Sequence, residues 1–143
     1  MIEDCEQEKV PLKSEIEYIR NYIAFQKMKS AEEQNIRFDF SGADGETFIA
    51  PLLFIPLIEN SFKYSRIEDL RKAFIRINLK TAGDELHFQI RNSMPAGTKT
   101  PPGAGTGLRN VRQRLEIIYP KKHSLDIEDG ETEFGIHLRL VFK

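Results

Sequence analysis

Two pairs of alternating segments constrain the fold most strongly. "AFIRINLK" and "ELHFQIRN" alternate apolar and polar residues on either side of "TAGD", and "HSLDIED" and "EFGIHLRLVF" do the same around Asp129–Gly130. Alternation with period two is typical of half-buried strands, and a short segment rich in turn-forming residues joins such strands into an antiparallel hairpin. The sequence therefore predicts two β-hairpins, each with one apolar face.

Predicted helices can pack on the apolar faces of those hairpins. The stretch 11–30 carries one apolar stripe at helical spacing, which comprises Leu12, Ile16, Ile19 and Ile23, and a neighbouring stripe, which comprises Tyr18, Tyr22 and Phe25. A helix with two apolar stripes contacts two partners. The second stripe either enters the same core or faces a partner helix outside this chain, and both readings stay open.

The remaining elements complete a two-layer arrangement. "IRFDF" (36–40) predicts a strand, "SGADGE" a turn, and "LRNVRQRLEII" from Leu108 a helix. A further helix is predicted from Pro51 or Leu52 to Tyr64, with Pro56 disturbing it. Antiparallel strands interleaved with helices indicate an α+β sandwich with the helices on one face of the sheet.

Length and composition exclude several classes of protein. The chain has 143 residues, which suits one domain, and a formal net charge of -1, which argues against a basic face for nucleic acid. The longest apolar run, "FIAPLLFIPLI", is too short to span a bilayer, so this chain is not expected to insert into a membrane. A single cysteine, Cys5, cannot form an internal disulfide, which favours a reducing compartment.

The segment "PLLFIPLIENSFKYS" (51–65) interrupts an apolar helix with polar residues. Residues three and four apart are neighbours on a helix, so one edge collects Glu59, Asn60, Lys63 and Tyr64, while Leu53, Leu57, Ile58 and Phe62 face the core. A carboxylate, an amide oxygen and an ammonium suit a phosphate with a divalent ion. The alternative is a solvated face near the end of the helix.

A second unusual segment is "GAGTGLRNVRQRL", in which Gly105, Thr106 and Gly107 precede or begin a helix. Glycines there allow close approach of an anion to unpaired N–H groups at the positive end of the helix dipole. The segment lacks the Lys-Ser/Thr of a P-loop and follows a loop instead of a strand, so it matches neither common nucleotide fingerprint. A flexible linker that ends in a helix cap remains the alternative.

Taken in order, "PLLFIPLIENSFKYS", "FQIRNS" and "GTGLRNVRQRLEIIYP" resemble the ATP-binding domain of bacterial sensor histidine kinases. The resemblance is closest to the LytS-type group, within the gyrase/Hsp90/histidine-kinase/MutL fold, and covers residues 11 to 143. It implies a mixed, mostly antiparallel sheet with helices on one face. It also implies a linker helix and N-terminal tail over residues 1–30 and an ATP-binding catalytic domain over residues 31–143.

The same resemblance assigns roles to individual residues. Asn60 would ligate Mg²⁺, Glu59 would be the catalytic carboxylate that polarises the reacting group or a metal-bound water, and Lys63 and Tyr64 would lie near the phosphates of ATP. Backbone N–H groups of the second glycine box would hold phosphates, and that box comprises Gly105, Thr106, Gly107 and Leu108. Residues 93 to 104 would form a lid over the nucleotide.

Three positions depart from the family pattern. Tyr64 replaces the usual His, Asn92 replaces the Asp that accepts a hydrogen bond from the adenine amino group, and Met94 replaces a glycine. The Asn92 side-chain oxygen can accept the same bond without the assistance of a charge. These departures bear on the strength of ATP binding and leave the predicted fold unchanged.

The phosphoacceptor histidine of the family is not recognisable here. His87, His123 and His137 all fall in predicted strands and lack the family's acceptor context. The resemblance therefore implies a cytoplasmic fragment of a longer kinase that is anchored in the bacterial inner membrane. Its partners would be the dimerisation and phosphoacceptor helices of the parent kinase and a downstream response regulator.

Two other functions compete with that of a histidine kinase. In the first, the departures at Tyr64 and Asn92 abolish useful ATP affinity, and the domain relays signals through protein contacts alone. In the second, the chain is an ATP hydrolase of the gyrase or Hsp90 type. The length of the chain counts against the second, because such enzymes need long transducing domains.

Overall fold

A computed structural model describes residues 9–29, 34–65, 72–95 and 106–142, with the backbone alone at residue 106. Within these ranges the chain forms three helices and seven strands. In chain order they are β1 (Val10–Pro11), α1 (Leu12–Met28), β2 (Ile36–Gly42), β3 (Phe48–Ile49), α2 (Ile55–Ser65), β4 (Ile75–Ala82), β5 (Glu85–Ser93), α3 (Thr106–Ile118), β6 (His123–Asp129) and β7 (Glu133–Val141).

Five strands form the main sheet, in the order β2-β4-β5-β7-β6. The β2–β4 pair is parallel and the other three pairs are antiparallel, so the sheet is mixed and mostly antiparallel, which confirms the predicted fold class. Alternate residues of the three central strands are buried under the helices, and the others form a polar face. Phe54 and Phe88 stack at a centroid separation of 4.7 Å within the core.

Both predicted hairpins are present. In the first, β4 and β5 pair from Ile75 opposite Asn92 to Ala82 opposite Glu85, and Gly83 at the turn has a φ of 60°. Glycine adopts this left-handed conformation without the steric cost that a side chain would impose. In the second, β6 and β7 pair along their length, and the Gly130 N–H donates to the Glu133 carbonyl at 2.9 Å.

Helix α1 packs its first apolar stripe against the rest of the domain. The buried members of that stripe are Leu12, Ile16, Ile19 and Ile23. In the second stripe, Tyr22 contacts Phe62 edge to face at 5.4 Å, whereas Tyr18 and Phe25 remain exposed. The stripe is therefore only partly buried within the described residues, and the division of the chain near residue 30 stays a prediction.

The first turn of α1 is fixed by backbone contacts that the sequence did not predict. Strands β1 and β3 pair antiparallel, and the N–H groups of Leu12 and Lys13 donate to the carbonyls of Thr47 and Gly45 at 2.6 and 3.0 Å. The first N–H groups of a helix have no partners inside it. The 45–47 loop supplies acceptors for two of them and so holds α1 against the domain.

The predicted start of α2 at Pro51 or Leu52 is wrong. The helix begins at Ile55, because Leu52 adopts a φ of 61°, which a right-handed helix cannot contain. Pro56 lies in the first turn of the helix, where its missing N–H would have no partner inside the helix in any case. It therefore does not interrupt α2, contrary to the prediction.

Side chains from two other helices hold the turn before α2. The buried Glu15 of α1 accepts a hydrogen bond from the Leu52 N–H at 2.8 Å. From α3, Arg114 donates to the Leu52 and Pro51 carbonyls at 3.0 and 2.9 Å. This arrangement, which we call the Arg114 clamp, links three helices at the point that sets the start of α2. None of the helices in the described ranges combines the length and apolar character needed to cross a membrane.

Candidate functional site

Helix α2 carries its polar residues along one edge, as the spacing predicted. Glu59 and Lys63 are exposed, and Asn60 and Tyr64 are half-buried. The Lys63 ammonium lies 5.3 Å from the centre of the Tyr64 ring. The opposite side of the helix buries Leu57 and Ile58 completely. The edge thus presents a carboxylate, an amide, an ammonium and a phenol without removing apolar contacts from the core.

Several buried polar atoms without a partner lie on α2 and at the end of β5. Among the described residues, and apart from the two atoms of Gln34, these atoms are Asn60 Nδ2, Ser61 Oγ, Ser65 Oγ and Asn92 Oδ1. All four belong to α2 or to the end of β5, which pack against each other. Each such group costs about 1–3 kcal/mol when it is left unpaired. A cluster of them is the arrangement expected where a polar ligand or ordered water completes the hydrogen bonds.

The sequence reasoning missed Ser61 and Ser65. Both side chains are fully buried, one turn apart, on the side of α2 that also carries core residues. A pair of hydroxyls at i and i+4 on an otherwise apolar helix face was the available signal.

At the end of β5, Asn92 is completely buried and lies opposite Ile75 and Phe134 on the helix-covered face. Its Nδ2 donates to the Ser93 carbonyl at 2.8 Å, while its Oδ1 has no partner among the described residues. The side chain therefore offers one hydrogen-bond acceptor, which is neutral, where an aspartate would offer a charged one.

The residues that follow Asn92 are fixed up to Met94. The Ser93 N–H donates to the Phe74 carbonyl at 3.0 Å, and the Met94 N–H donates to the Thr132 carbonyl at 2.8 Å. The Met94 side chain is buried in the core, so an apolar residue fills the position of the family's glycine. A depression of about 280 Å³ lies here, lined by Ser65, Lys72, Ala73, Ser93, Met94 and Pro95 among others.

Helix α3, whose first turn contains the predicted second glycine box, packs against α2. Thr106 is the first helical residue, Leu108 is buried, and Gly107 is exposed with open space where a Cβ would be. The first N–H groups of α3 have no acceptors inside the helix and carry its positive dipole end. Gly105 and most of the predicted lid, residues 96–104, lie outside the described residues.

One electrostatic contact crosses from α1 to the candidate site. Burial raises the pKa of the Tyr22 phenol, and the negative charge of Glu59 raises that pKa further. Glu59 of α2 and Tyr22 of α1 are therefore coupled electrostatically.

The three histidines lie in strands, as predicted, and each has a partner. His87 contacts His137 through ring nitrogens at 3.0 Å, and its other nitrogen lies 3.0 Å from Glu85. His123 Nδ1 lies 2.7 Å from the Tyr119 carbonyl. None of these contacts involves the polar edge of α2.

Sequence comparison finds bacterial sensor kinases over nearly the whole chain, although no family model matches. The Bacillus subtilis sensor histidine kinase YesM is 25% identical over 133 residues, which cover 90% of this chain and 23% of YesM. The Enterococcus faecalis sensor protein LytS is 23% identical, covering 94% of this chain and 25% of LytS. The Escherichia coli sensor histidine kinase YpdA is 23% identical, covering 96% of this chain and 26% of YpdA. The chain spans about a quarter of the length of these relatives.

Solved structures with the same fold are also histidine kinases. The Acinetobacter baumannii histidine kinase AdeS has a TM-score of 0.65 at 15% identity, covering 95% of this chain and 67% of AdeS. The mycobacterial sensor histidine kinase MprB has a TM-score of 0.63 at 14% identity, covering 94% of this chain and 96% of MprB. The catalytic domain of histidine kinase ThkA has a TM-score of 0.59 at 16% identity and covers 94% of both chains. At these identities the likeness is one of fold.

Proposed function

Because this chain is a homologue of LytS-type sensor histidine kinases and has the fold of histidine-kinase catalytic domains, we propose that it binds Mg-ATP between α2, the end of β5 and the start of α3. In this proposal it transfers the γ-phosphoryl group of ATP to a histidine outside this chain. The observation that carries the proposal is the cluster of unpaired buried polar atoms on α2 and β5. A nucleotide that enters there would supply partners for groups that otherwise remain unsatisfied.

Asn92 is the candidate receptor for the adenine base. Its buried Oδ1 lacks a donor among the described residues, and an exocyclic amino group is a donor of the required type. Since the acceptor is neutral, this hydrogen bond would be weaker than one to an aspartate. The Ser65 hydroxyl, also buried and unpaired, is a second candidate contact, and Ser65 lines the depression beside Ser93 and Met94.

The half-buried Asn60 is the candidate protein ligand for Mg²⁺. An amide oxygen is a hard ligand, and Mg²⁺ commonly takes one or two protein oxygens together with phosphate oxygens and water. Glu59 beside it would orient a metal-bound water or the reacting group, and Lys63 would pair with a phosphate as a point charge. The Tyr64 phenol would donate one hydrogen bond where the family has a histidine.

The first turn of α3 is the candidate phosphate cradle. Its N–H groups, together with the open space at Gly107, leave room for an anion at the positive end of the helix. Leu108, buried beneath, anchors that turn to the core. The backbone of Thr106 would extend the cradle, whereas Gly105 lies outside the described residues and is assigned to it by the sequence resemblance alone.

Positioning and charge neutralisation account for most catalysis of phosphoryl transfer. When bound, Mg²⁺ would neutralise the negative charge that develops on the transferring group. The residues of this chain would hold the nucleotide at its base and phosphates and keep Glu59 beside the reacting end.

The acceptor histidine belongs to the parent kinase in this proposal. His87, His123 and His137 are each engaged in strands away from the polar edge of α2. The partners are therefore the dimerisation and phosphoacceptor helices, with a response regulator downstream. The domain would work on the cytoplasmic side of an inner membrane that anchors the parent protein.

A second candidate function rests on the neutral Asn92 and the buried Met94. If these residues reduce ATP affinity below useful levels, the domain would relay signals through protein contacts alone. Measured affinity for Mg-ATP separates the two functions, because only the kinase requires binding at physiological nucleotide concentrations.

The test is calorimetric titration with a non-hydrolysable ATP analogue, with and without Mg²⁺. Wild type should bind, and Asn60→Ala should lose at least tenfold in affinity with Mg²⁺ while losing little without it. The matched control is Asn21→Ala, which changes an exposed asparagine on α1 and should bind as wild type does. Equal affinity of the Asn60 variant and wild type in Mg²⁺ would refute the metal role.

A further inference from the structure

The polar face of the sheet carries a row of arginines across three adjacent strands. Arg37 on β2 lies directly opposite Arg76 on β4, and Arg76 lies opposite Arg91 on β5. All three side chains are exposed, on the face away from the helices and from the candidate nucleotide site. Like charges directly opposite each other destabilise a sheet. A negative charge near these arginines would therefore stabilise the sheet.

Among the described residues, carboxylates form ion pairs at only one end of the row. Arg91 pairs with Glu133 at 3.1 Å and with Glu128 at 3.6 Å. Within the described residues, neither Arg37 nor Arg76 belongs to an ion pair. Arg76 has only a 3.5 Å contact from Nη1 to the Asn35 side-chain oxygen and lies 5.0 Å from the centre of the Phe74 ring.

A glycine leaves space beside the row of arginines. Gly135 on β7 lies opposite Arg91, and a Cβ there would come within 3.3 Å of Arg91 Nη1. Around it the face forms a depression of about 430 Å³, which is the size of many small-molecule sites. Besides the arginines, its lining includes Asn78, Gln89 and His137. Asn78 and Gln89 make no side-chain hydrogen bond within the described ranges.

We propose that this face holds a second ligand site, for a compact anion that carries phosphate groups or paired carboxylates. The guanidinium groups of Arg37 and Arg76 match such groups bidentately. The amides of Asn78 and Gln89 would hydrogen-bond the body of the ligand.

The size of the ligand follows from the charges at the rim. Asp39 on the β2 side and Glu128 on the β6 side also line the depression. A broad acidic protein surface would bring its charges against both carboxylates, whereas a small anion can contact the arginines between them. This site lies on the opposite face of the sheet from the proposed nucleotide site, and the ligand proposed for it is smaller than ATP.

The experiment is an NMR titration of the ¹⁵N-labelled chain with citrate and, separately, with inorganic pyrophosphate. Sodium chloride at matched ionic strength is the control, because simple screening acts on every exposed charge. The reporters are the Gly135 backbone amide and the side-chain amides of Asn78 and Gln89, with Gly107 as the reporter of the nucleotide site. We expect saturable shifts at the first three with at least one of the two anions, and the better ligand identifies the preferred chemistry.

Two variants make the test specific. Arg37→Gln and Arg76→Gln should each weaken anion binding at least fivefold, whereas Arg20→Gln, which changes an exposed arginine of α1, should leave it unchanged. Because Arg37 has no ion-pair partner in the described structure, its variant should fold at least as stably as wild type at low salt.

The proposal would be overturned if neither anion gives saturable shifts beyond those of chloride, or if the Arg37 variant binds as wild type does. Shifts confined to Gly107 would overturn it as well and would leave the nucleotide site intact. Conversely, absence of ATP-analogue binding would contradict the proposed kinase function without affecting the citrate result, so the two failures can be distinguished.

Discussion

Replacing Arg114 by alanine tests how the helices of this domain hold the start of α2. The Arg114 guanidinium donates to the Leu52 and Pro51 carbonyls at 3.0 and 2.9 Å. Burial raises the pKa of Glu15 above its ordinary value of 4.5, while the hydrogen bond from Leu52 and the charge of Arg114 each oppose that rise. The substitution therefore removes two hydrogen bonds and one favourable charge interaction at once.

The magnitude follows from those contacts. A net hydrogen bond contributes about 0.5–1.5 kcal/mol, with more for charged donors, and Arg114 is only half-buried. We therefore expect Arg114→Ala to lower the free energy of unfolding by about 2 kcal/mol. Arg114→Lys should lose roughly half of that, because an ammonium lacks the planar fork that reaches both carbonyls.

The pH dependence gives this prediction a second, independent part. A carboxyl whose pKa is raised on folding stabilises the fold below its unfolded pKa, and that stability is lost as pH rises toward the folded pKa. Removing the Arg114 charge raises the pKa of Glu15 further. The penalty of the variant should therefore be larger at pH 7 than near pH 4.

Urea unfolding at both pH values, followed by circular dichroism, measures the effect. Arg112→Ala is the matched control, since Arg112 is an exposed arginine on the same helix, and it should change the free energy of unfolding by less than about 0.5 kcal/mol. Equal losses for Arg112 and Arg114 would refute the Arg114 clamp. A penalty for Arg114→Ala that does not vary with pH would refute its coupling to Glu15.

Three further predictions concern single side chains. Asn92→Leu removes the unpaired Oδ1 together with the Nδ2 bond to Ser93, so calorimetry should show at least tenfold weaker ATP-analogue binding, with the free energy of unfolding within about 1.5 kcal/mol of wild type. The Ala50 N–H donates to the Tyr119 hydroxyl at 3.1 Å in a buried site, so Tyr119→Phe leaves this N–H without an acceptor. Urea unfolding should show that the free energy of unfolding falls by about 1–3 kcal/mol. Burial and the charge of His87 lower the pKa of His137 below 6.5, so wild type should lose stability as pH falls from 7 to 5, and His137→Gln should show a shallower loss in urea midpoints.

The hairpins and the apolar stripe of α1 were predictable because each depends on local periodicity. Leu12, Ile16 and Ile19 recur at helical spacing and are buried. The alternation around "TAGD" likewise corresponds to paired strands with Gly83 at the turn. Periodicity reports which face of an element is buried, and it does so without knowledge of the partner element.

What the sequence did not predict depends on contacts between distant segments. The start of α2 shifts to Ile55 because Glu15 and Arg114, 37 and 62 positions from Leu52, hold the turn in a non-helical conformation. The parallel pairing of β2 with β4 likewise joins strands separated by β3 and α2. Such long-range contacts have no signature in a local window of sequence.

The candidate site was predictable only where it depends on local spacing along the sequence. Glu59 and Asn60 were identified because polar residues interrupt an apolar helix at helical spacing. Ser61 and Ser65 were missed, since serines are common on helices and only the described packing shows that both are buried without partners. The roles of these residues remain predictions.

The most direct test of the nucleotide site is an NMR titration of the ¹⁵N-labelled chain with a non-hydrolysable ATP analogue and Mg²⁺. The site proposed here predicts saturable shifts of the Asn92 side-chain amide, which reports the base, and of the Gly107 backbone amide, which reports the phosphates. The amide of Gly83, at the exposed hairpin turn, should stay unchanged. Absence of saturable shifts at Asn92 and Gly107 at millimolar analogue would contradict ATP binding by this domain and would favour a role in protein contacts alone.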